Sequence, residues 1–253
     1  MSLSFAKPTT RTIIRTLIPI GTALLAFVVT GFLLLAGGFD PLEAYGLILQ
    51  GSVGGVREGG ETLVRTTSLL LTGLAVGFAF RCRVWNIGAE GQLYFGAIGA
   101  VVIALTVAGQ IPVFGVIIAI IFAMIFGAGW AAIAGVLKSR LGVNEIIVTV
   151  MLNFIAILFV DFLVHGALKA PGFEPQTALI PLTSQLPILI EGTRFHAGFL
   201  VAIAAAVLIY LILFKTKTGF SLRATGVNPK ASGYAGINVK RSILLTLLIS
   251  GAV

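Results

Sequence analysis

Residues 113–140 read VFGVIIAIIFAMIFGAGWAAIAGVLKSR. No charge interrupts residues 113–137, and Lys138 and Arg140 close the run. A helix needs roughly 20 apolar residues to cross a bilayer core, so this stretch reads as a membrane span. Within it, Gly115, Ala119, Ala123, Gly127, Ala131 and Gly135 recur at every fourth position. In lipid, helices associate through close packing rather than the hydrophobic effect, and small residues at that spacing let two backbones approach. The pattern predicts a helix packed inside a bundle.

Similar runs extend in both directions. Apolar spans are predicted over 17–37, 63–80, 93–108, 143–164 and 198–214, and a seventh run opens at 242 and stops at 253. Twelve residues do not cross a hydrocarbon core at 1.5 Å rise each. The expectation is six full spans plus the start of a seventh, in a C-terminally truncated chain. Gly96, Ala100, Ala104 and Ala108 repeat the small-residue spacing in the third span, and Gly73 and Gly77 in the second. Between spans, 41–50 reads as a short interfacial helix and the Gly-rich 51–60 as a loop. Residues 109–112 make a turn, and the Pro-rich 167–197 lies outside the membrane or at its interface.

Composition agrees with this all-α, polytopic reading. Of 253 residues, 58% are hydrophobic and 10% charged, with a mean hydropathy of +1.08. Soluble domains carry about 25% charged residues, so a soluble enzyme and a disordered chain are excluded. The 31 glycines follow no collagen period. The single cysteine, Cys82, rules out an internal disulfide and a Cys-based metal cluster, and reads as a small packed residue. The net charge of +8 is explained by position. Segments 1–16, 81–91, 138–142 and 215–241 hold thirteen of the 17 Lys and Arg residues, leaving Arg57, Arg65, Lys169 and Arg194. Cytoplasmic loops carry the excess of Lys and Arg, so the N-terminus is cytoplasmic and no nucleic acid is needed to account for the charge.

Polar groups at membrane depth mark protein interiors or watery paths. In the second span, Glu61, Thr62, Arg65, Ser68 and Thr72 share an arc of about 120° at 100° per residue, and Glu61 with Arg65 reads as an outer-end ion pair. Glu145, Thr149 and Asn153 share about 80° in the fifth span. Glu145 suits a helix N-terminus, whereas an amide three turns in needs partners. Asp161, His165 and His196 read as surface groups. No His pair or carboxylate pair has metal or hydrolase spacing, so no catalytic residue, metal or cofactor is expected. Trp85-Asn86-Ile87-Gly88-Ala89-Glu90-Gly91-Gln92 interrupts the apolar pattern. Broken backbone at depth is tolerated only beside protein or a water-filled cavity, and transporter sites are often built from such breaks. An ordinary cytoplasmic loop fits the charge count equally, and hydropathy leaves both open.

The loop 215–241 combines six basic residues with ordered turn chemistry. Asn228-Pro229 predicts a helix start, residues 230–235 a short helix, and Gly236 its stop. Such a loop suggests docking to a soluble partner.

Three motifs in order carry a resemblance. Thr72-Gly73-Leu74-Ala75-Val76 through Asn86–Gln92, the segment Gly219–Pro229 with Ala235-Gly236-Ile237, and Ser250-Gly251-Ala252 resemble the permease subunits of ABC importers in the branched-chain amino acid, ribose and nucleoside group. Asn-Ile-Gly-Ala-Glu-Gly-Gln, with Asn144-Glu145-Ile146-Ile147 and Met151-Leu152-Asn153, is most like the nucleoside-type members. Ser232-Gly233 departs from the alanines usual there, and glycine lowers helix propensity by about 1 kcal/mol.

The resemblance implies a cytoplasmic segment 1–16 and a permease domain over 17–253 in the bacterial cytoplasmic membrane. It implies a second, identical or different, permease subunit, an ABC ATPase subunit below and an extracytoplasmic substrate-binding protein above. ATP hydrolysis falls to the partner, and this chain carries no GxxxxGK[ST] loop. Asn86, Glu90, Gln92, Thr149 and Asn153 are expected to line the path for an uncharged solute, whose donors and acceptors amides match. Gly219, Arg223, Gly226, Asn228 and Gly236 are expected to couple the ATPase. Arg223→Glu and Gly226→Trp are expected to lose ATPase association with folding retained. A sugar or branched-chain amino acid permease is the nearest alternative, followed by an ion-coupled secondary transporter or an intramembrane enzyme.

Overall fold

The computed structural model describes residues 10–111 and 114–253, with side chains from residue 17 onward. The expected cytoplasmic segment 1–16 and the end of the 109–112 turn lie largely outside the described residues. Ten α-helices are described: α1 Thr10–Ala36, α2 Pro41–Val53, α3 Val56–Arg81, α4 Ala89–Thr106, α5 Gly115–Leu141, α6 Glu145–His165, α7 Gly198–Lys215, α8 Lys217–Val227, α9 Pro229–Tyr234 and α10 Val239–Ala252. Six of them are long and apolar enough to cross a membrane.

The helix ends follow local chemistry. Asp40 caps α2 by accepting from the Leu42 amide at 2.8 Å, with Pro41 at the first helical position. Asn144, Thr216, Asn228 and Asn238 cap α6, α8, α9 and α10 in the same way. Gly142, at φ 69°, ends α5 in the left-handed conformation. The short helix expected at 41–50 is present as α2, but the loop expected over 51–60 shrinks to Gly54-Gly55. Glycine costs about 1 kcal/mol in a helix, and α3 carries Gly59 and Gly60 within a sequence otherwise favourable to helix.

The chain forms two compact units, residues 1–62 and 63–253. In the first, the Tyr45 hydroxyl of α2 donates to the Phe27 carbonyl of α1 at 2.5 Å. In the second, α5 is the central element. It runs antiparallel to α4 on one side and to α10 on the other. An added Cβ at Gly96 of α4 would stand 3.3 Å from the Ala123 carbonyl oxygen of α5, and one at Gly127 would overlap the Gly251 carbonyl of α10. The small-residue series of the fourth span therefore brings two neighbours to backbone contact. Gly73 and Gly77 of α3 differ: a Cβ at either meets nothing within 4 Å, so this pair packs against no described helix.

Two apolar clusters hold the unit. Phe78 of α3, Cys82, Ile209 and Leu213 of α7 and Leu222 of α8 form one. Val84, Ala131 and Ala134 of α5, Leu152 of α6 and Leu247 of α10 form the other. Outside the spans, residues 166–197 contain one 3-10 turn, Leu182–Ser184. Its Thr183 hydroxyl donates to the Gly109 carbonyl at 2.8 Å, tying this segment to the α4–α5 turn.

Candidate functional site

The break between α3 and α4 begins with a tight reversal. The Val84 amide donates to the Ala79 carbonyl and the Arg83 amide to that of Phe80, a helix-ending turn that places its middle residue in the left-handed region. That residue is Arg83, at φ 54°, where glycine is usual. The chain then runs extended along α6. The Trp85 amide donates to Glu145 Oε1 at 3.3 Å, the Ile87 amide to Thr149 Oγ1 at 3.3 Å, and the Gly91 amide to Asn153 Oδ1 at 2.8 Å. Asn153 Nδ2 returns a bond to the Ile87 carbonyl at 2.9 Å. The lower rungs match in pitch: two extended residues rise about 6.6 Å and four helical ones about 6 Å. The Glu145–Thr149–Asn153 stripe is thus the acceptor rail for a stretch of backbone that no helix or sheet satisfies.

Depth follows from the same rungs. Glu145 opens α6 and pairs with Lys138 at the end of α5. Asn153 lies eight residues on, about 12 Å along the helix axis, in a hydrocarbon core about 30 Å thick. The first turn of α4 is level with it. Residues 85–92 therefore run alongside the first two turns of α6.

Asn86 is the hub of this segment and is fully buried, at 0% exposure. Its Nδ2 donates to Gln92 Oε1 at 3.0 Å and to Ser250 Oγ at 2.8 Å, and its Oδ1 accepts from Gln92 Nε2 at 3.1 Å and from the Gly88 amide at 2.9 Å. Ser250 of α10 passes its own proton to the Ala75 carbonyl of α3 at 2.6 Å. The amide is saturated, and the network joins α3, α4 and α10.

Of the five residues expected on the path, four meet here: Asn86, Gln92, Thr149 and Asn153. Their hydrogen bonds go to protein. Glu90 stands apart, exposed and with no hydrogen bond or ion pair to any described residue. Sequence reading missed Ser250 as a member of the site. Its signal was the series of hydroxyls Ser242, Thr246 and Ser250 at every fourth position of the seventh run.

The five residues expected to couple the ATPase lie around α8 and α9. Asn228 caps α9 through the Ala231 amide at 3.0 Å, and Gly236 follows it at φ 81°. Gly219 and Gly226 are points of close approach: a Cβ at the first would overlap the Ile212 carbonyl, and at the second the Cys82 carbonyl. The Arg223 guanidinium lies 5.0 Å from the Phe214 ring centroid, with Arg81 6.0 Å from the same ring. The outward group is Tyr234, 95% exposed at the end of α9. Because α8 seats there directly on the Cys82 backbone, Gly226→Trp is expected to disturb the fold as well as ATPase association. The helix α8 itself was not legible, since its two glycines and weak periodicity give no apolar stripe. Among the described residues, no group of His, Cys, Asp and Glu could hold a metal ion.

A family model described as branched-chain amino acid transport system / permease component matches residues 60–253. The chain belongs to this permease family. The permease is 36% identical over 241 residues to the guanosine ABC transporter permease protein NupP of Bacillus subtilis, covering 93% of this chain and 68% of the relative. It is 32% identical over 247 residues to the nucleoside ABC transporter permease protein NupB of Lactococcus lactis, with coverages of 94% and 68%. To the glucose ABC transporter permease protein TsgB13 of Haloferax volcanii it is 33% identical over 249 residues, covering 92% of this chain and 64% of the relative. No solved structure matches the permease. With its six apolar helices, the permease is a multi-pass membrane protein, the membrane-embedded subunit of an ABC importer.

Proposed function

We propose that this permease forms one half of the translocation path for a nucleoside and is driven by ATP hydrolysis on a separate ABC ATPase. The observation that carries the reading is the extended break between α3 and α4, held by α6, which leaves Glu90 on an open face of α4. A second permease subunit completes the path, and an extracytoplasmic binding protein delivers the solute. Asn86, Gln92, Thr149 and Asn153 act on the path by holding the broken backbone, and Glu90 meets the solute. The nucleoside assignment is supported by the guanosine and nucleoside permeases among the relatives. The glucose permease supports a second reading, a hexose. Both solute classes are uncharged and carry neighbouring hydroxyls on a ring.

Residues 215–241 connect the ATPase to the path. The helix α9 is the docking element, and α8 passes its displacement to Cys82 and so to the extended segment beside α6. Gly219, Arg223 and Gly226 set how α8 seats, while Asn228 and Gly236 delimit α9. The permease itself performs no chemistry in this scheme.

The test is solute uptake into proteoliposomes carrying the permease with its cognate ATPase, partner permease and binding protein. ATP-dependent accumulation of guanosine, exceeding that of glucose and leucine, is expected. Accumulation of glucose or leucine instead would shift the assignment to those classes.

A further inference from the structure

The open face of α4 raises a separate question. Glu90, Leu93 and Ala97 are exposed along it, and Tyr94 is half-buried one turn from Glu90. Neither Glu90 nor Tyr94 makes a hydrogen bond or ion pair with any described residue. A carboxylate within an apolar span is costly against lipid and faces water or a polar partner. The dipole of α4 favours an acid in its first turn, which lowers the cost of holding it there without a cation. The side chain is therefore stabilised by its own helix and left with both oxygens open.

Resting on the importer reading above, we propose that Glu90 and Tyr94 form a solute subsite in which the Glu90 carboxylate accepts hydrogen bonds from two neighbouring hydroxyls of a sugar ring. A carboxylate carries two acceptor oxygens side by side, and charge-assisted hydrogen bonds are about twice as strong as neutral ones. Neutral solutes with neighbouring hydroxyls supply two donors and no charge to neutralise, which matches an acid with no cation beside it. Tyr94 lies at i+4, about 5–6 Å away between Cβ atoms, and offers a ring face for the flat or apolar side of the solute. The Asn86 amide has no spare acceptor or donor, all four of its bonds ending on protein, so it positions the start of α4 and with it Glu90.

The experiment uses the complete importer in proteoliposomes, with the binding protein saturated in turn with guanosine and with 2′-deoxyguanosine. Guanosine is expected to enter about tenfold faster or more, the size of one lost hydrogen bond to a charged group. Glu90→Gln is expected to bring the two rates within about threefold, mainly by slowing guanosine. Discrimination unchanged in Glu90→Gln would overturn the proposal. A second measurement follows modification of Leu93→Cys, exposed beside an intact Glu90, by a water-soluble thiol reagent in a Cys82→Ala background. Guanosine is expected to slow that modification and 2′-deoxyguanosine to leave it unchanged; equal or absent protection would overturn the proposal. Loss of the permease pair on co-purification of Glu90→Gln would also overturn it, by assigning the acid to a cation of the second subunit. If the unaltered importer moves no guanosine, the nucleoside reading fails by itself. The protection assay run with glucose and 2-deoxyglucose then decides the hydroxyl reading.

Discussion

Asn86 shows how a single side chain can hold a broken helix. Its four hydrogen bonds end on Gln92, Ser250 and the Gly88 amide, all in a site where an unpaired polar group costs about 1–3 kcal/mol. Asn86→Leu is expected to destabilise the permease by about 2–4 kcal/mol, and Ser250→Ala by about 1 kcal/mol, read as thermal midpoints by circular dichroism in one detergent. Equal midpoints would contradict the hub. Cys82 offers a second residue-scale check. Burial pushes its thiol above the ordinary value, against a smaller lowering by the Thr246 hydrogen bond and the Arg223 charge. A raised value leaves less thiolate, the reactive form. Maleimide is expected to modify native Cys82 more than about tenfold slower than a free thiol at the same pH, and to catch up on unfolding. These partners were only half legible in the sequence. The Glu145–Thr149–Asn153 stripe is visible from helical periodicity, but its counterpart is an extended strand of backbone that has no period to read. Arg83 in a left-handed turn carries no sequence signal, because glycine is the residue that usually announces one.

At the scale of elements, close approach decides what each helix tolerates. Gly127 and Gly129 lie on the same helix α5, yet a Cβ at the first meets the Gly251 backbone and at the second meets nothing within 4 Å. Gly127→Val is expected to cost about 1–3 kcal/mol and to lower the yield of folded protein, while Gly129→Val behaves as the unaltered chain. Size-exclusion profiles of the two variants in detergent check this. The joint between α8 and the turn at Cys82 is of the same kind. Asn228→Ala removes the cap of α9, worth about 1 kcal/mol, and leaves α8 seated. It is expected to reduce ATPase co-purification several-fold with helical content unchanged. The cap and stop of α9 were readable from Asn228-Pro229 and Gly236 because capping is local chemistry. The seating of α8 was not, because it depends on Leu222 packing with Phe78, far away in sequence.

For the whole molecule, hydropathy located the membrane helices, since it averages over many residues, and charge bias predicts their orientation. What averages cannot convey is that the helix of the third span starts about two turns up α6 from Glu145. That offset emerges only when the rungs to α6 are seen. Orientation is itself testable: cysteines placed at Lys169 or Arg194 in a Cys82→Ala background are expected to react with an impermeant reagent in whole cells, and one placed at Lys217 only after lysis. The most direct test of a conduit powered by another subunit is ATP-dependent guanosine uptake in proteoliposomes, compared between the cognate ATPase and a form with its phosphate-loop lysine replaced. Uptake is expected to vanish with the altered ATPase while the complex still assembles. Uptake that continues undiminished would contradict the account.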